Sequence, residues 1–500
     1  MPREENILRR TVIKKSFWTF LTTSISRVGG LIFTIILARF LMPEGFGLYS
    51  LALSITILFI TFADLGISSA LLRYVSSSIE KNPRKASAYF HYLLGLKLKV
   101  TLFMSLLLLA LSYTLSFNVF KKPVLFPLLL VLSAYTFIAS IQGFFEALFY
   151  TKNKVNRLAI KEAVFQVLRI GFVLILFTIL AQKDLALAAT ISLLLASSIT
   201  LVLTISFYKK LFNFKDSRGI NLNKKRILYF IGFLALSSLA TVLFSYIDTI
   251  IMGLFISLEY IGYYKAAMSL VITIAGALSF PGVFLSVLTK IREENLQETF
   301  DKILKTLLMI IIPATIGLII LSRYFIVFLY GYEYLKGAIL LYILSPFIFL
   351  FVTSSIFLNV LAAREKTRDF SLLTIFCTVL NISLITFAIK LLVPYSELAA
   401  TIGVASATLA SWTLYFIGSL IILHRRMNLR FKFKFMINPL IASAFMALAI
   451  YLVQYFSPDV SLVSGIIEVI LGVCVYFLAM FFLGDIKKQD ISFIRSLLPF

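Results

Sequence analysis

Residues 40–52 read FLMPEGFGLYSLA, and residues 255–267 read FISLEYIGYYKAA. At a constant offset of 215 residues, the two segments are identical at five of thirteen positions. The identical pairs are Phe40 and Phe255, Glu44 and Glu259, Gly47 and Gly262, Tyr49 and Tyr264, and Ala52 and Ala267. Each segment follows the first long apolar run of its half of the chain, which indicates an internal repeat. The alternative is a chance similarity between two apolar turns.

The chain around these segments is strongly apolar. Hydrophobic residues make up 60% of the 500 positions and charged residues 14%, whereas soluble domains carry about 25% charged residues. Because a membrane-spanning helix needs about 20 mostly apolar residues, this composition excludes a secreted, cytosolic or fibrous protein. Apolar windows predict fourteen spans, near residues 17–38, 47–72, 89–115, 124–150, 158–181, 185–208, 228–255, 258–288, 303–329, 335–362, 371–393, 397–423, 436–456 and 462–484.

The repeat divides these spans into two related halves. Its offset equals six spans, an even number, so both halves enter the membrane in the same orientation. Parallel repeats are typical of transporters, whose substrate site lies between the halves near the midplane. We therefore predict an all-α polytopic membrane protein with about 14 transmembrane helices. The predicted domains are an N-terminal lobe of spans 1–6 (1–208), a cytoplasmic basic linker (209–227), a C-terminal lobe of spans 7–12 (228–423), and two additional spans with a cytoplasmic tail (424–500).

The distribution of basic residues predicts the topology. The 47 lysines and arginines exceed the 23 acidic residues and give a net charge of +24. Most of them lie in the N-terminal segment, the even-numbered loops and the C-terminal tail. The other loops contain only Arg39, Lys121, Lys122, Lys183, Arg323, Lys336 and Lys390. The positive-inside rule then predicts a cell-membrane protein with both termini cytoplasmic, so the charge needs no nucleic-acid partner.

Residues suited to metal or redox chemistry are few. Cys377 and Cys474 lie in apolar runs, and His91 and His424 have no ligand spacing around them. We therefore expect no disulfide, metal or cofactor. The loops on the far side of the membrane are too short to hold an external active site, so we predict that the protein is not an enzyme.

Three strings carry a resemblance to a known family: ARFLMPEGFGLYSLALSI from residue 38, FADLGISSALLRYV from residue 62, and YIDTIIMGLFISLEYIGYYKAAMSL from residue 246. They resemble the polysaccharide-transporter or lipid-linked oligosaccharide flippase family (Wzx-type) of the multidrug/oligosaccharidyl-lipid/polysaccharide exporter superfamily. The resemblance implies two six-helix lobes around a cavity that opens alternately to each side. It also implies movement of an isoprenoid-pyrophosphate-linked oligosaccharide to the outer leaflet, with this substrate, membrane lipids and glycan-assembly enzymes as partners.

Charged residues inside the spans are the candidates for the substrate site, because each costs about 2.5–3.5 kcal/mol at a helix centre. Arg27 lies near the middle of span 1 on a stripe with Thr23, Gly30 and Thr34, and in span 5 Glu162, Gln166 and Arg169 share one face. We predict substrate binding by Arg27, Arg169, Lys97 and Lys265. Asp64 and Asp248 are the candidates for carrying a coupling proton or sodium ion. The alternative for each is an ion pair between helices, such as Asp248 with Lys265.

The sign of these charges distinguishes between related transporters. A drug or cation antiporter needs carboxylates in its first lobe, whereas this chain places Arg27, Lys97 and Arg169 there. Arginine binds phosphate through two parallel hydrogen bonds, so these residues favour a pyrophosphate headgroup. The alternatives are a drug or cation antiporter on the same scaffold and a flippase for the peptidoglycan-precursor lipid.

Overall fold

This computed structural model describes residues 2–152, 154–180, 184–212, 220–279, 293–364, 368–456 and 462–484. Regular structure in these ranges is helical, and they contain no β-strand. In the interior of a bilayer no water is available to hydrogen-bond the backbone, so each apolar run satisfies its N–H and C=O groups within its own helix. The predicted all-α fold class is confirmed.

The described ranges contain sixteen α-helices. They are α1 (Pro2–Asp64), α2 (Ile67–Ser78), α3 (Pro83–Tyr113), α4 (Phe126–Thr151), α5 (Val155–Ile179), α6 (Leu185–Leu211), α7 (Lys224–Phe255), α8 (Leu258–Leu278), α9 (Leu296–Ile320), α10 (Ser322–Tyr330), α11 (Ala338–Leu344), α12 (Phe347–Ala363), α13 (Arg368–Leu392), α14 (Glu397–Met427), α15 (Lys434–Phe456) and α16 (Leu462–Phe482). Short π-helical (Thr114–Val119) and 3₁₀ turns (Pro123–Leu125, Glu293–Asn295, Tyr332–Gly337) connect some of them.

The first apolar stretch contains two predicted spans. Leu21–Ser78, which comprises α1 from Leu21 onward and α2, is 58 residues long, about 87 Å at 1.5 Å per helical residue, whereas the hydrocarbon core of a bilayer is about 30 Å thick. Met42 interrupts it with a non-helical backbone (φ 58°, ψ 173°) directly before Pro43, which has no N–H to donate. Span 1 therefore precedes Met42, and span 2 follows it.

The predicted spans agree with the observed helices. Twelve helices in the described ranges are long and apolar enough to cross a membrane, and the pair Tyr332–Leu344 and Phe347–Ala363, bent by 43°, forms one more candidate. Pro346 lies at this bend, where its ring prevents a straight helix. When Leu21–Ser78 is counted as two crossings, a described helix lies at each of the fourteen predicted positions, and residues 280–288 of the eighth predicted span lie outside the described residues.

Contacts divide the chain into two compact units. The N-terminal unit is Leu21–Gly262, and the C-terminal unit combines Met1–Phe20 with Tyr263–Phe500. The boundary lies in the first turns of α8, whereas the predicted lobes meet in the linker at 209–227. The assignment of spans 1–6 and 7–12 to separate lobes stays a prediction.

Within the N-terminal unit, the two copies of the repeated segment contact each other reciprocally. A Cβ added at Gly47 would lie 1.9 Å from the carbonyl oxygen of Leu258, and one added at Gly262 would lie 2.0 Å from that of Pro43. Pro43 and Leu258 are themselves related by the 215-residue offset, as are the two glycines. The contact is therefore self-complementary, as expected where related segments meet about a pseudo-twofold axis. Only glycine allows the two backbones to approach this closely.

Candidate functional site

The candidate site begins on one face of α5. Glu162, Gln166 and Arg169 were predicted to share this face, and Gln166 Nε2 donates to Glu162 Oε1 over 2.7 Å. Glu162 and Arg169 lie seven residues apart, about 10 Å along the helix axis. Gln166 therefore occupies the space between the acid and the arginine.

Two glycines of α1 bring this face close to span 1. A Cβ at Gly29 would lie 2.7 Å from the side chain of Gln166, whose Nε2 also donates to the carbonyl oxygen of Ser26 at 3.4 Å. A Cβ at Gly30 would lie 3.6 Å from Nη2 of Arg169. The polar side chains of α5 thus fill the space that larger residues at positions 29 and 30 would occupy.

Arg169 lies among aromatic rings. Its guanidinium carbon is 4.4 Å from the ring centroid of Phe33 and 5.2 Å from that of Phe165, close enough for cation–π attraction. These rings hold the guanidinium in place without neutralising its charge.

The hydrogen-bonding capacity of Arg169 is not fully used. Its Nε and Nη2 atoms are buried, and neither has a hydrogen-bond partner among the described residues. Buried polar groups are normally paired, because an unpaired donor costs about 1–3 kcal/mol. Two such donors on one guanidinium match the two oxygens of a phosphate or carboxylate group.

Arg27 lies on the flank of the α1 face that contacts α5. At about 100° per residue, it is rotated by roughly that angle from Ser26, which accepts a hydrogen bond from Gln166. Its predicted stripe with Thr23, Gly30 and Thr34 is half-buried. The structure places Arg27 and Arg169 in the same unit. Arg27 belongs to α1, and Arg169 of α5 packs against the same segment of α1 at Gly30.

An ion-pair network at one end of α5 was not predicted. Lys161 Nζ lies 2.7 Å from Glu146 Oε1 on α4 and 3.1 Å from Glu162 Oε2, and Gln142 Nε2 donates to Glu146 Oε1 at 2.9 Å. Lys161 is only 7% exposed. A sequence signal existed, because Lys161 follows Glu146 across a short turn and the two lie at adjacent ends of antiparallel helices.

Lys97 and Asp64 form a second ion pair. Lys97 Nζ lies 2.6 Å from Asp64 Oδ1, with the lysine side chain 1% exposed and the aspartate 32%. Lys97 also donates to the carbonyl oxygen of Ala63 at 3.3 Å, in the last turn of α1. The helix breaks directly afterwards, where Leu65 (φ 43°) and Gly66 (φ 83°) adopt left-handed conformations. The roles predicted for Lys97 in substrate binding and for Asp64 in ion coupling stay predictions, and the pair joins α3 to this break.

The remaining predicted residues lie farther along the chain. Asp248 of α7 is 3% exposed, and its Oδ1 accepts hydrogen bonds from the backbone N–H and hydroxyl of Thr249. Lys265 of α8 is half-buried and belongs to the C-terminal unit. The structure thus places five of the six predicted residues in the N-terminal unit, and Arg27 and Arg169 both adjoin the contact between α1 and α5.

The C-terminal unit contains an apolar cavity of about 350 Å³ between α9, α15 and α16. Its walls include Pro313 and Gly317 of α9, Met446 of α15, and Gly472 and Tyr476 of α16. The side chains that surround this space are almost entirely apolar.

The family profile described as "Polysaccharide biosynthesis protein" matches residues 12–285, more than half of the chain. The chain therefore belongs to this polysaccharide biosynthesis protein family, which confirms the resemblance found in the repeated motifs. It is a multi-pass membrane protein of that family.

Individual proteins are similar to the chain in sequence or in fold. The chain is 25% identical over 343 residues to an uncharacterized membrane protein in the cps region of Klebsiella pneumoniae, and the match covers 66% of each chain, slightly less than two thirds. It is similar to the structure of the Lipid II flippase MurJ in an inward closed conformation (TM-score 0.74, 21% identity, 95% of this chain and 99% of that chain). It is also similar to an inward-facing multidrug resistance MATE family transporter of the MOP superfamily (TM-score 0.65, 15% identity, 80% and 95%). At these identities the two structures show the fold, which is the one predicted.

Proposed function

We propose that this protein moves an isoprenoid-pyrophosphate-linked oligosaccharide from the cytoplasmic to the outer leaflet by alternating access. The observation that carries the proposal is the guanidinium of Arg169, whose buried Nε and Nη2 atoms lack acceptors among the described residues. In this proposal one phosphate of the substrate accepts hydrogen bonds from both Nε and Nη2 of Arg169. Arg27 contacts the headgroup from its position on the side of α1. Family membership supports a saccharide as the cargo.

The state of the neighbouring acids supports an anionic rather than a cationic substrate. Glu146 and Glu162 both pair with Lys161, and Asp64 pairs with Lys97. A drug or cation antiporter needs carboxylates that are available to its substrate. Glu162, which shares a face of α5 with Arg169, and Glu146 are both paired with lysine, so the antiporter hypothesis is the weaker one.

The basic loops support an orientation with both termini in the cytoplasm of a cell-membrane protein. The headgroup then enters from the cytoplasmic side, and rocking of the two repeats exposes it on the other side. The apolar cavity lies between α9 of the second repeat and α15 and α16, which follow the repeats, and its apolar walls suit the isoprenoid tail. A proton or sodium ion carried by Asp64 or Asp248 is the proposed coupling ion, and no enzymatic step is required.

The test is reconstitution into liposomes with a pyrophosphate-linked glycolipid, whose exposure on the opposite leaflet is followed over time. A hydrogen bond to a charged group contributes about 1.5–3 kcal/mol, so Arg169→Gln should slow translocation about 10- to 100-fold, and adding Arg27→Gln should slow it further. Arg169→Lys keeps the positive charge but cannot donate two parallel hydrogen bonds to one phosphate, so an intermediate translocation rate is expected. Arg84→Gln, an exposed position in the first turn of α3, is the matched control.

The outcomes separate the candidate functions. Unchanged translocation in the Arg27→Gln/Arg169→Gln protein would refute the pyrophosphate assignment. Cation-stimulated dye efflux would support the antiporter, and complementation of a strain that depends on peptidoglycan-precursor flipping would support that substrate. Sugar transfer by the purified protein would contradict a purely transporting role.

A further inference from the structure

A second cluster of arginines lies in the C-terminal unit, far along the chain from the proposed substrate site. Arg368 and Asp369 begin α13, and Arg425 and Arg426 lie in the last turn of α14. These four residues line a pocket of about 420 Å³. Since α13 and α14 are joined at their other ends by residues 393–396, the pocket lies at the membrane surface that the basic loops predict to be cytoplasmic.

The charge of this pocket is positive. Asp369 is the only carboxylate among the described residues of its lining, and it accepts a hydrogen bond from Nε of Arg426. Three guanidinium groups and one carboxylate therefore line the described part of the pocket. The positive-inside rule requires basic residues near the ends of spans, but it does not require that they converge on a pocket with room for an anion.

Exposed apolar side chains lead away from the pocket along both helices. On α13, Leu372, Phe376 and Val379 are 57%, 62% and 60% exposed, and at about 100° per residue they fall on the same face as Arg368. On α14, Leu414, Ile417 and Ile421 are 44%, 45% and 48% exposed and share a face with Arg425. We call these two stripes the apolar tracks.

We propose that the arginine pocket binds the phosphate of an anionic phospholipid of the cytoplasmic leaflet, with the acyl chains along the apolar tracks. The arginines supply charge-assisted hydrogen bonds to phosphate. The tracks begin one helical turn from Arg368 and Arg425, so a headgroup held at the pocket places its chains directly on them. A soluble phosphate compound shares the headgroup chemistry but makes no use of the tracks.

The experiment is lipid binding to the purified full-length protein in detergent, measured by native mass spectrometry with phosphatidylglycerol, phosphatidylcholine and inorganic phosphate as separate ligands. Each basic residue near a membrane surface raises the affinity for an anionic lipid about fivefold. Arg368→Gln and Arg425→Gln should each weaken phosphatidylglycerol binding about fivefold, and the double variant about 25-fold. Arg84→Gln/Lys85→Gln removes two exposed charges at the start of α3 and should bind like the parent.

We expect the parent to bind phosphatidylglycerol more tightly than phosphatidylcholine. The pocket variants should lose this preference, and the control variant should keep it. Equal binding of both lipids, or unchanged phosphatidylglycerol binding in the variants, would overturn the proposal. Displacement of the lipid by millimolar inorganic phosphate would also overturn it, because the site would then serve a soluble anion. The single variants keep the test decisive if the double variant does not fold, and no readout depends on transport.

Discussion

The reciprocal glycine contact makes a quantitative prediction. Ordinary contact with a Cβ begins at 3.4 Å, whereas the carbonyl oxygens of Leu258 and Pro43 lie 1.9 and 2.0 Å from the Cβ positions of Gly47 and Gly262. Gly47→Ala or Gly262→Ala must therefore separate the two backbones by about 1.5 Å. Neither obstructing atom belongs to a flexible side chain, so rotamer changes cannot relieve the clash.

The energetic cost follows from the effects of overpacking. Inserting a methyl group into a closely packed contact costs about 1–3 kcal/mol, which lowers the population of the closed contact about 5- to 150-fold. Because the contact is reciprocal, the two substitutions should have similar effects. If transport passes through this closed arrangement, glycolipid translocation should fall by a similar factor.

The assay is the distance between spin labels at Glu44→Cys and Glu259→Cys, two repeat-related positions beside the contact, with Cys377 and Cys474 replaced by serine. In each alanine variant, the fraction of molecules at the parent distance should decrease at least fivefold. Translocation in liposomes is then measured with the unlabelled proteins.

The matched controls are Gly143→Ala and Gly232→Ala, since a Cβ added at either helical position has no heavy atom within 4 Å beyond its chain neighbours and the adjacent backbone of its own helix. Both should retain the parent distance distribution and translocation rate. If Gly47→Ala and Gly262→Ala behave like these controls, the steric reasoning is wrong. If the distance increases but translocation is unaffected, the contact exists but is not part of the transport cycle.

The buried ion pairs lead to two further predictions. Lys97→Gln should lower the free energy of unfolding by about 2–3 kcal/mol, less than the about 3–5 kcal/mol for a fully buried pair because Asp64 is 32% exposed. Adding Asp64→Asn should restore at least half of the lost free energy of unfolding. Denaturation in mild detergent measures the stability of the single and the double variant. If the double variant recovers no stability, Lys97 and Asp64 do not form a direct pair. Lys161→Gln leaves Glu146 and Glu162 without their shared cation, so the melting temperature should fall, and a further Glu162→Gln should raise it again. A melting temperature unchanged by Lys161→Gln would show that the network contributes little to stability.

The candidate site was only partly predictable. The shared face of Glu162, Gln166 and Arg169 follows from helical spacing, and the structure shows Gln166 and Arg169 of that face packed against α1. The pairing of Lys97 with Asp64 joins residues 33 positions apart on different helices, and spacing along one helix carries no information about such neighbours. Lys161 was overlooked because the prediction followed the spacing of charges along single helices, whereas Lys161 pairs with Glu146 across the turn between α4 and α5.

The sequence by itself determined the membrane class, the positions of the fourteen spans and the internal repeat. The reason is that each of these depends on local properties: an apolar run long enough to cross the bilayer becomes a helix whatever surrounds it, and a repeat is visible as similarity. Only the tertiary structure decided which charges neutralise one another, that Arg169 lies on the ring of Phe33, and that Gly47 and Gly262 pack against each other's segments. These features depend on the rotation and separation of helices packed side by side, which are set by side chains from several parts of the chain acting together.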